Sequence, residues 1–153
     1  MWTVKSFQEL TTSELYSYLQ LRVNVFIVEQ SCPFPDLDGY DTEALHLAYI
    51  ENNELLAYGR ILPPGIKYER ASIGRVIVHE MARGKGLANQ LMEVSIATIE
   101  QKWPGGEVQL QAQTYLRKFY GSFGFNETSL EYDEDGIPHV DMVKANNRYH
   151  ISQ

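Results

Sequence analysis

The sequence of 153 residues contains a single cysteine, Cys32. A single cysteine excludes an intrachain disulfide. The absence of disulfides is typical of proteins in the reducing cytosol. No run of about 18 apolar residues occurs, so no segment is expected to cross a membrane. The first residues also lack the basic-then-apolar pattern of a secretory signal. We therefore expect a cytoplasmic protein without a membrane partner.

Basic residues are the minority, because 13 Lys and Arg stand against 20 Asp and Glu, for a formal net charge of −7. A negative surface repels phosphate backbones, so a nucleic-acid partner is not expected. The four histidines are too scattered along the chain to form a metal-ligand set, and no metal is expected. The length fits a single domain over residues 1–153.

Apolar residues recur with helical and strand periods in alternation along the chain. A capping box at Thr11 and Glu14 starts a helix predicted over residues 12–28, along which either Val23 or Arg22 faces inward. Two apolar runs flank Glu51-Asn52-Asn53-Glu54 and predict a hairpin, because Asn tolerates the positive φ of tight turns. The other predicted elements cover residues 71–79, 86–103, 108–112, 114–121, 125–132 and 139–144.

This order of elements is β-α-β-β-β-α-β-α-β-β. It predicts an α+β domain with a mixed, mostly antiparallel central sheet of about seven strands, flanked by helices.

An acidic segment, Asp36-Leu37-Asp38-Gly39-Tyr40-Asp41, follows the first helix. It does not match a calcium loop, because its Gly is misplaced and Leu47 stands where the twelfth-position Glu belongs. We expect a solvated acidic turn, and leave open whether it lines the acceptor site.

The most informative segment is Arg83-Gly84-Lys85-Gly86-Leu87-Ala88, at the start of the second long helix. The first N–H groups of a helix have no intrahelical partner, and the helix dipole adds partial positive charge there. Glycines let a ligand approach closely, so the segment predicts a site for an anion such as a pyrophosphate. A structural turn with two solvated basic residues is the alternative. Walker and dinucleotide loops fit worse, because His79 and Asn89 stand where those patterns need small residues.

The pattern Arg83-x-x-Gly86-x-Ala88 resembles the acetyl-CoA signature of the GNAT superfamily of N-acetyltransferases. Phe119-Tyr120-Gly121-Ser122-Phe123-Gly124-Phe125 resembles the Phe-Tyr-x-x-x-Gly-Phe segment of that superfamily, and Gln113 stands where many members carry Asn. A narrower resemblance is to the ElaA group of bacterial GNAT proteins. It rests on three segments: Leu21-Arg22-x-x-Val25-Phe26-x-Val28-Glu29-Gln30-x-Cys32-Pro33, Asp36-x-Asp38-Gly39 and Glu134-Asp135-Gly136-Ile137-Pro138-His139.

The resemblance implies that acetyl-CoA is the co-substrate and that a primary amine of a small molecule or peptide attacks it directly in a ternary complex. It implies that the backbone of residues 76–78 pairs with the pantetheine arm, and that the N–H groups of residues 84–88 bind the pyrophosphate. Tyr120 occupies the position of the general acid, which suits a phenol protonated at neutral pH. The residues so assigned to acetyl-CoA are Val76, Ile77, Val78, Arg83, Gly84, Lys85, Gly86, Leu87, Ala88, Gln113 and Tyr120.

The general base is not determined by the resemblance, because the central strand carries Arg75 and lacks the Glu that some members have there. Glu29, His79 and His139 are the candidates, acting directly or through water. Histidine is the side chain whose ordinary pKa lies near neutrality. A structural or substrate-contacting role is the alternative for each.

Two other functions stay open at this point. One is an acyltransferase with a longer acyl donor, such as a homoserine-lactone synthase, and the other is a CoA-binding module without catalysis. The sequence does not determine the acceptor or the oligomeric state, and a homodimer is left open.

Overall fold

A computed structural model describes residues 1–32 and 34–145, and within them the chain forms eight strands and three α-helices. The expected α+β class is confirmed. The elements are β1 (Trp2–Ser6), α1 (Thr12–Arg22), β2 (Leu45–Glu51), β3 (Glu54–Leu62), β4 (Ala71–Val78), α2 (Leu87–Lys102), β5 (Val108–Gln113), α3 (Arg117–Gly121), β6 (Phe125–Glu127), β7 (Tyr132–Glu134) and β8 (Ile137–Lys144). None of the helices in these two ranges has the length and apolar character needed to cross a bilayer.

The eight strands form one sheet in the order β1-β2-β3-β4-β5-β8-β6, and β7 pairs with β8 beside β6. All pairs are antiparallel except β4 with β5. The strand count differs from the prediction because the strand expected over 125–132 ends at Glu127 as β6, and a separate short strand, β7, begins at Tyr132. Between these strands, the Ser129 hydroxyl accepts from the Asp141 N–H and interrupts the ladder.

The sheet separates two hydrophobic clusters. Along β3, Ala57 and Ile61 belong to the cluster under α2, whereas Tyr58 packs with Tyr18 and Leu21 of α1. Because successive side chains of a strand point to opposite faces, α1 and α2 lie on opposite sides of the sheet.

The first helix starts at its predicted capping box, in which Thr11 and Glu14 exchange side chain–backbone hydrogen bonds. It ends as an α-helix at Arg22 and continues as a π-helix over Val23–Glu29. Arg22 is completely buried and Val23 is exposed, so Arg22 occupies the inward position.

β4 and β5 pair only at their first residues, Ala71 with Val108 and Ser72 with Gln109. Farther along, the two strands separate, and residues 73–78 have no strand partner on that side within the described chain. The separation opens a cleft in the middle of the sheet.

A bulge lies on β4 inside this cleft. The register between β3 and β4 shifts between Tyr58 and Arg60, and Arg75 adopts a φ of 51°. A bulge bends its strand and increases the local twist. Here it bends β4 at the point where β4 has already left β5.

Three arginines and three aspartates form an ion network next to this bulge, buried except for the partly exposed Asp38 and Arg75. Its members are Arg22, Arg60, Arg75, Asp36, Asp38 and Asp41. Arg22 reaches Asp36 and Asp41 at 2.8 Å each. Arg60 reaches Asp38 at 2.7 Å, and Arg75 reaches Asp36 at 2.8 Å. The arginines come from α1, β3 and β4, so the network joins three elements to the loop before β2.

The expectation of a solvated acidic turn holds for residues 37–39, which are exposed, and is wrong for the carboxylates at the two ends of the segment. Asp36 and Asp41 are buried. Burial favours the neutral form of Asp38 and Asp41, but their hydrogen bonds to Arg60 and Arg22 outweigh it and hold the pKa of both carboxyls below its usual range. The arginines that neutralise the turn come from distant parts of the sequence.

We predict that Arg22→Ala lowers the free energy of unfolding by about 3–5 kcal/mol, because it leaves two arginines to balance three aspartates and so one buried negative charge uncompensated. Arg70→Ala is the control, since its ion pair with Glu107 is exposed and contributes about 1 kcal/mol or less. Urea denaturation at neutral pH, followed by circular dichroism, measures both. Equal destabilisation by the two variants would contradict the prediction.

Candidate active site

The cleft between β4 and β5 opens into a cavity of about 340 Å³. Four residues expected in the site line it: Val76, Gln113, Tyr120 and His139. They come from β4, β5, α3 and β8, and Gln113 faces His139 across the β5–β8 ladder. The fold thus brings together four residues predicted to handle the co-substrate and the proton transfers.

The edge of β4 is the first candidate binding surface of this cleft. Residues 76–78 lie beyond the last β4–β5 pair, so their edge toward β5 is open in the described part of the chain. Ile77 and Val78 still pair with β3 on the other side, which holds the backbone extended. An extended ligand can therefore align with this edge as a further strand would.

The start of α2 is the second surface. Gly84 and Gly86 have φ of 81° and 82°, a conformation that glycine adopts without strain. The N–H groups of residues 84–88 have no protein acceptor among the described residues. A Cβ placed at Gly84 or Gly86 would meet no atom within 4 Å. This loop is thus open and lined with donors, as a diphosphate requires.

Arg83 and Glu29, both predicted site residues, contact each other. Two arginine nitrogens lie 2.9 Å from the two carboxylate oxygens, and Arg83 Nε donates to the Val78 carbonyl at 3.0 Å. The hydrogen bond from Arg83 lowers the pKa of the Glu29 carboxyl. The pair joins the π-helix to the end of β4, and Glu29 does not line the cavity.

Tyr120 is buried, and its ring packs edge-on against Phe119 and Phe125, with centroid distances of 5.1 and 6.3 Å. Among the described residues, none makes a hydrogen bond to its hydroxyl. Burial raises the pKa of Tyr120 to about 12. The phenol is therefore protonated at neutral pH and can donate a proton or a hydrogen bond.

His139 and His79 differ in which ring nitrogen is free. His139 Nδ1 lies 2.8 Å from the Ile137 carbonyl. A carbonyl only accepts, so Nδ1 carries the hydrogen and the neutral ring keeps a lone pair on Nε2. His79 Nδ1 accepts from the Met81 N–H at 3.1 Å, which places the hydrogen of its neutral ring on Nε2. His139 lines the cavity, and His79 does not.

Several cavity residues were not expected from the sequence, namely Lys67, Tyr68 and Gln111. Gln111 shares a face of β5 with Gln113 by strand alternation, a signal that could have indicated it. Lys67 and Tyr68 lie in the loop between β3 and β4, where no periodic pattern points to a site. Within residues 1–32 and 34–145, His, Cys, Asp and Glu side chains do not cluster as metal ligands.

A family model described as "Acetyltransferase (GNAT) domain" matches residues 20–146. Protein ElaA of Escherichia coli strain K12 is 45% identical over 145 residues, which are 94% of this chain and 95% of ElaA. The crystal structure of E. coli ElaA superposes with a TM-score of 0.89 at 44% identity, covering 94% of this chain and 98% of that one.

An acyl-CoA N-acyltransferase from Pseudomonas aeruginosa has a TM-score of 0.92 at 43% identity, over 95% of this chain and 99% of its own. A GNAT acetyltransferase from Elizabethkingia anophelis, solved with acetyl-CoA bound, shares the fold alone. Its TM-score is 0.64 at 17% identity, over 94% of this chain and 97% of that one.

The chain belongs to the GNAT family of acyl-CoA N-acyltransferases, and its relatives include ElaA. Both resemblances expected from the sequence are confirmed.

We predict that Gly86→Leu weakens CoA binding by about 10- to 100-fold, because a side chain at the helix start covers N–H donors that bind a charged group. Gly105→Leu is the control, since Gly105 also has a positive φ, of 89°, but follows the opposite end of α2. Calorimetry with CoA measures both affinities. Unchanged affinity in Gly86→Leu, or an equal loss in the control, would refute the phosphate-loop assignment.

Proposed function

We propose that this protein transfers an acetyl group from acetyl-CoA to a primary amine in a ternary complex, within a single domain. The observation that supports this most is the separation of β4 from β5. It leaves a free strand edge beside a cavity lined by Tyr120 and His139. The E. anophelis acetyltransferase shows that a protein of this fold binds acetyl-CoA, which is consistent with the donor we propose.

Two backbone surfaces bind acetyl-CoA in this proposal. The N–H groups of residues 84–88 hold the pyrophosphate, and Lys85 adds a positive charge beside them. The β4 edge at residues 76–78 pairs with the pantetheine arm, and Gln113 contacts the arm from β5. Acetyl-CoA supplies a thioester carbonyl that an amine can attack.

Residues around the cavity then handle charge and protons. A β4 N–H group at residues 76–78 donates to the carbonyl oxygen as negative charge develops, which is worth about 3–4 kcal/mol in comparable sites. The amine nitrogen bonds to the carbonyl carbon, and the carbon–sulfur bond breaks. His139 Nε2 takes the proton from the amine, directly or through one water. Tyr120 gives its proton to the leaving sulfur.

His139 is chosen over the other two candidate bases because of its hydrogen bonds. Its Nδ1–H is held by a carbonyl, which leaves Nε2 as an acceptor. Glu29 is engaged by Arg83, and the free nitrogen of His79 carries a hydrogen in the neutral ring. We assign Glu29 the role of positioning Arg83 and the end of β4.

The cavity volume favours a short acyl group. About 340 Å³ is near the lower end of small-molecule pockets, and the acceptor must share it with the acyl chain. A long acyl donor would take the space of the amine. A cytoplasmic location, expected from the sequence, stays a prediction.

We predict that Tyr120→Phe lowers kcat by about 100-fold or more, since general acids contribute on that scale. The affinity for acetyl-CoA should change little, because the ring still packs. Tyr115→Phe serves as the matched control, since Tyr115 is 75% exposed. Stopped-flow detection of free CoA thiol gives the rates. If Tyr120→Phe turns over as fast as the wild type, Tyr120 is not the acid.

We predict that His139→Asn lowers kcat by about 100-fold, the usual contribution of a general base. Glu29→Gln should retain kcat within about threefold, because an amide oxygen still accepts a hydrogen bond from Arg83. Both variants are measured at saturating acetyl-CoA with the best available amine. If Glu29→Gln lowers kcat more than His139→Asn does, Glu29 and not His139 is the base.

A further inference from the structure

Lys67 is a cation inside the cavity without a carboxylate beside it. Its ammonium lies 3.4 Å from Gln111 Oε1 and above the rings of Tyr68 and Tyr40, at 5.4 and 5.9 Å from their centroids. Throughout the described ranges, no carboxylate oxygen lies within 4 Å of it. A half-buried ammonium without a counter-ion is costly unless a ligand supplies one.

The neighbouring charges do not provide this counter-ion. The nearby aspartate, Asp38, is hydrogen-bonded to Arg60 and Arg75. Burial, followed by the charges of Arg60 and Arg75, lowers the pKa of the Lys67 ammonium. Asp38 and Glu134 act on Lys67 in the opposite sense, but within the described residues neither forms an ion pair with it.

Two further groups beside Lys67 are suited to an anion. The Tyr68 hydroxyl is buried and has no partner in the part of the chain that the structure describes, and burial raises its pKa to about 12, so it is a donor. Gln111 Nε2 donates to the Tyr132 hydroxyl at 3.0 Å, and that hydroxyl donates to Asp141 at 2.6 Å. This chain fixes the Gln111 amide.

Two more carboxylates line the cavity together with His139. They are Glu134, at the end of β7, and Asp135, in the turn before β8, and the charge of Glu134 also acts on Lys67 and Tyr68. Gln111 and Gln113 share one face of β5, about 7 Å apart along the strand. Gln111 lies beside Lys67, and Gln113 pairs with His139. The cavity thus presents a cation beside Gln111 and a histidine beside Gln113.

We propose that the acceptor is an amino acid, and that the Lys67 ammonium binds its carboxylate with the Tyr68 hydroxyl as second donor. This inference rests on the proposed function, because it describes the acceptor of the same reaction. The carboxylate lies at the closed end of the cleft, which directs the amine toward Gln113 and His139. Lys67 then determines which acceptor binds, and it is not part of the proposed acetyl-CoA site.

The kinetic test compares acids with their own methyl esters. Release of CoA is measured at saturating acetyl-CoA with the common L-amino acids, β-alanine, γ-aminobutyrate and the methyl ester of each. We expect kcat/KM for the best acid to exceed that of its ester by about 10- to 100-fold, mainly through KM, the usual size of one charge-assisted contact. This comparison requires no variant.

The matched variants are Lys67→Met and Lys102→Met. Lys67→Met keeps the chain length without the charge, and we expect its acid-to-ester preference to fall to about twofold while CoA affinity and the activity on esters persist. Lys102 is exposed near the end of α2 and should keep the wild-type preference. Equal rates with acid and ester in the wild type, or a preference unchanged in Lys67→Met, would overturn the proposal.

A binding measurement separates this inference from the proposed function. Calorimetry with N-acetyl amino acids and their methyl esters, in the presence of CoA, does not depend on turnover. If every amine fails as acceptor but N-acetyl acids bind the wild type and not Lys67→Met, the carboxylate site stands and the transferase proposal fails. If amines are acetylated whether or not they carry a carboxylate, and N-acetyl acids bind no better than their esters, the transferase proposal stands and the carboxylate site fails.

Discussion

The structure depends on the separation of two parallel strands after their first two residue pairs. A buried strand normally satisfies its backbone groups on both sides, so an open edge in the middle of a sheet needs a compensating partner. The open edge of β4 runs from the cavity toward the loop at residues 83–88. The co-substrate arm is the partner that we propose for this edge.

The ion network stabilises the bent conformation of β4 beside this cleft. Arg75 combines two roles, because its positive φ forms the bulge of β4 and its guanidinium binds Asp36 at 2.8 Å. A non-glycine residue in this conformation costs about 1–3 kcal/mol, and the charge-assisted hydrogen bonds offset that cost. Arg22 binds the same aspartate from α1. The acidic loop, the first helix and the catalytic strand therefore depend on one another.

Charge is distributed unevenly around the cavity. Of the cations that line the cavity in the described residues, Arg60 and Arg75 are paired with aspartates, whereas Lys67 has no carboxylate within 4 Å. In a protein with a formal charge of −7, this local arrangement is more informative than the total. The acceptor with two charged groups that we propose follows from it.

The sequence by itself determined the elements and the family, because both depend on local patterns. Capping, helical periodicity and the Asn52-Asn53 turn are set by neighbours in the chain, and Arg83-x-x-Gly86-x-Ala88 is a contiguous motif at a helix start.

The tertiary structure decided which polar groups lack a hydrogen-bond or ion-pair partner. Asp36 and Asp41 were expected in solvent, but arginines from three elements bury them. Glu29 is engaged by Arg83, and His139 has a free Nε2, through hydrogen bonds that no sequence spacing encodes. The place of Lys67 in the cavity depends on how the β3–β4 loop packs against β5. Its burial and its lack of a counter-ion are therefore properties of the packed structure and not of residue order.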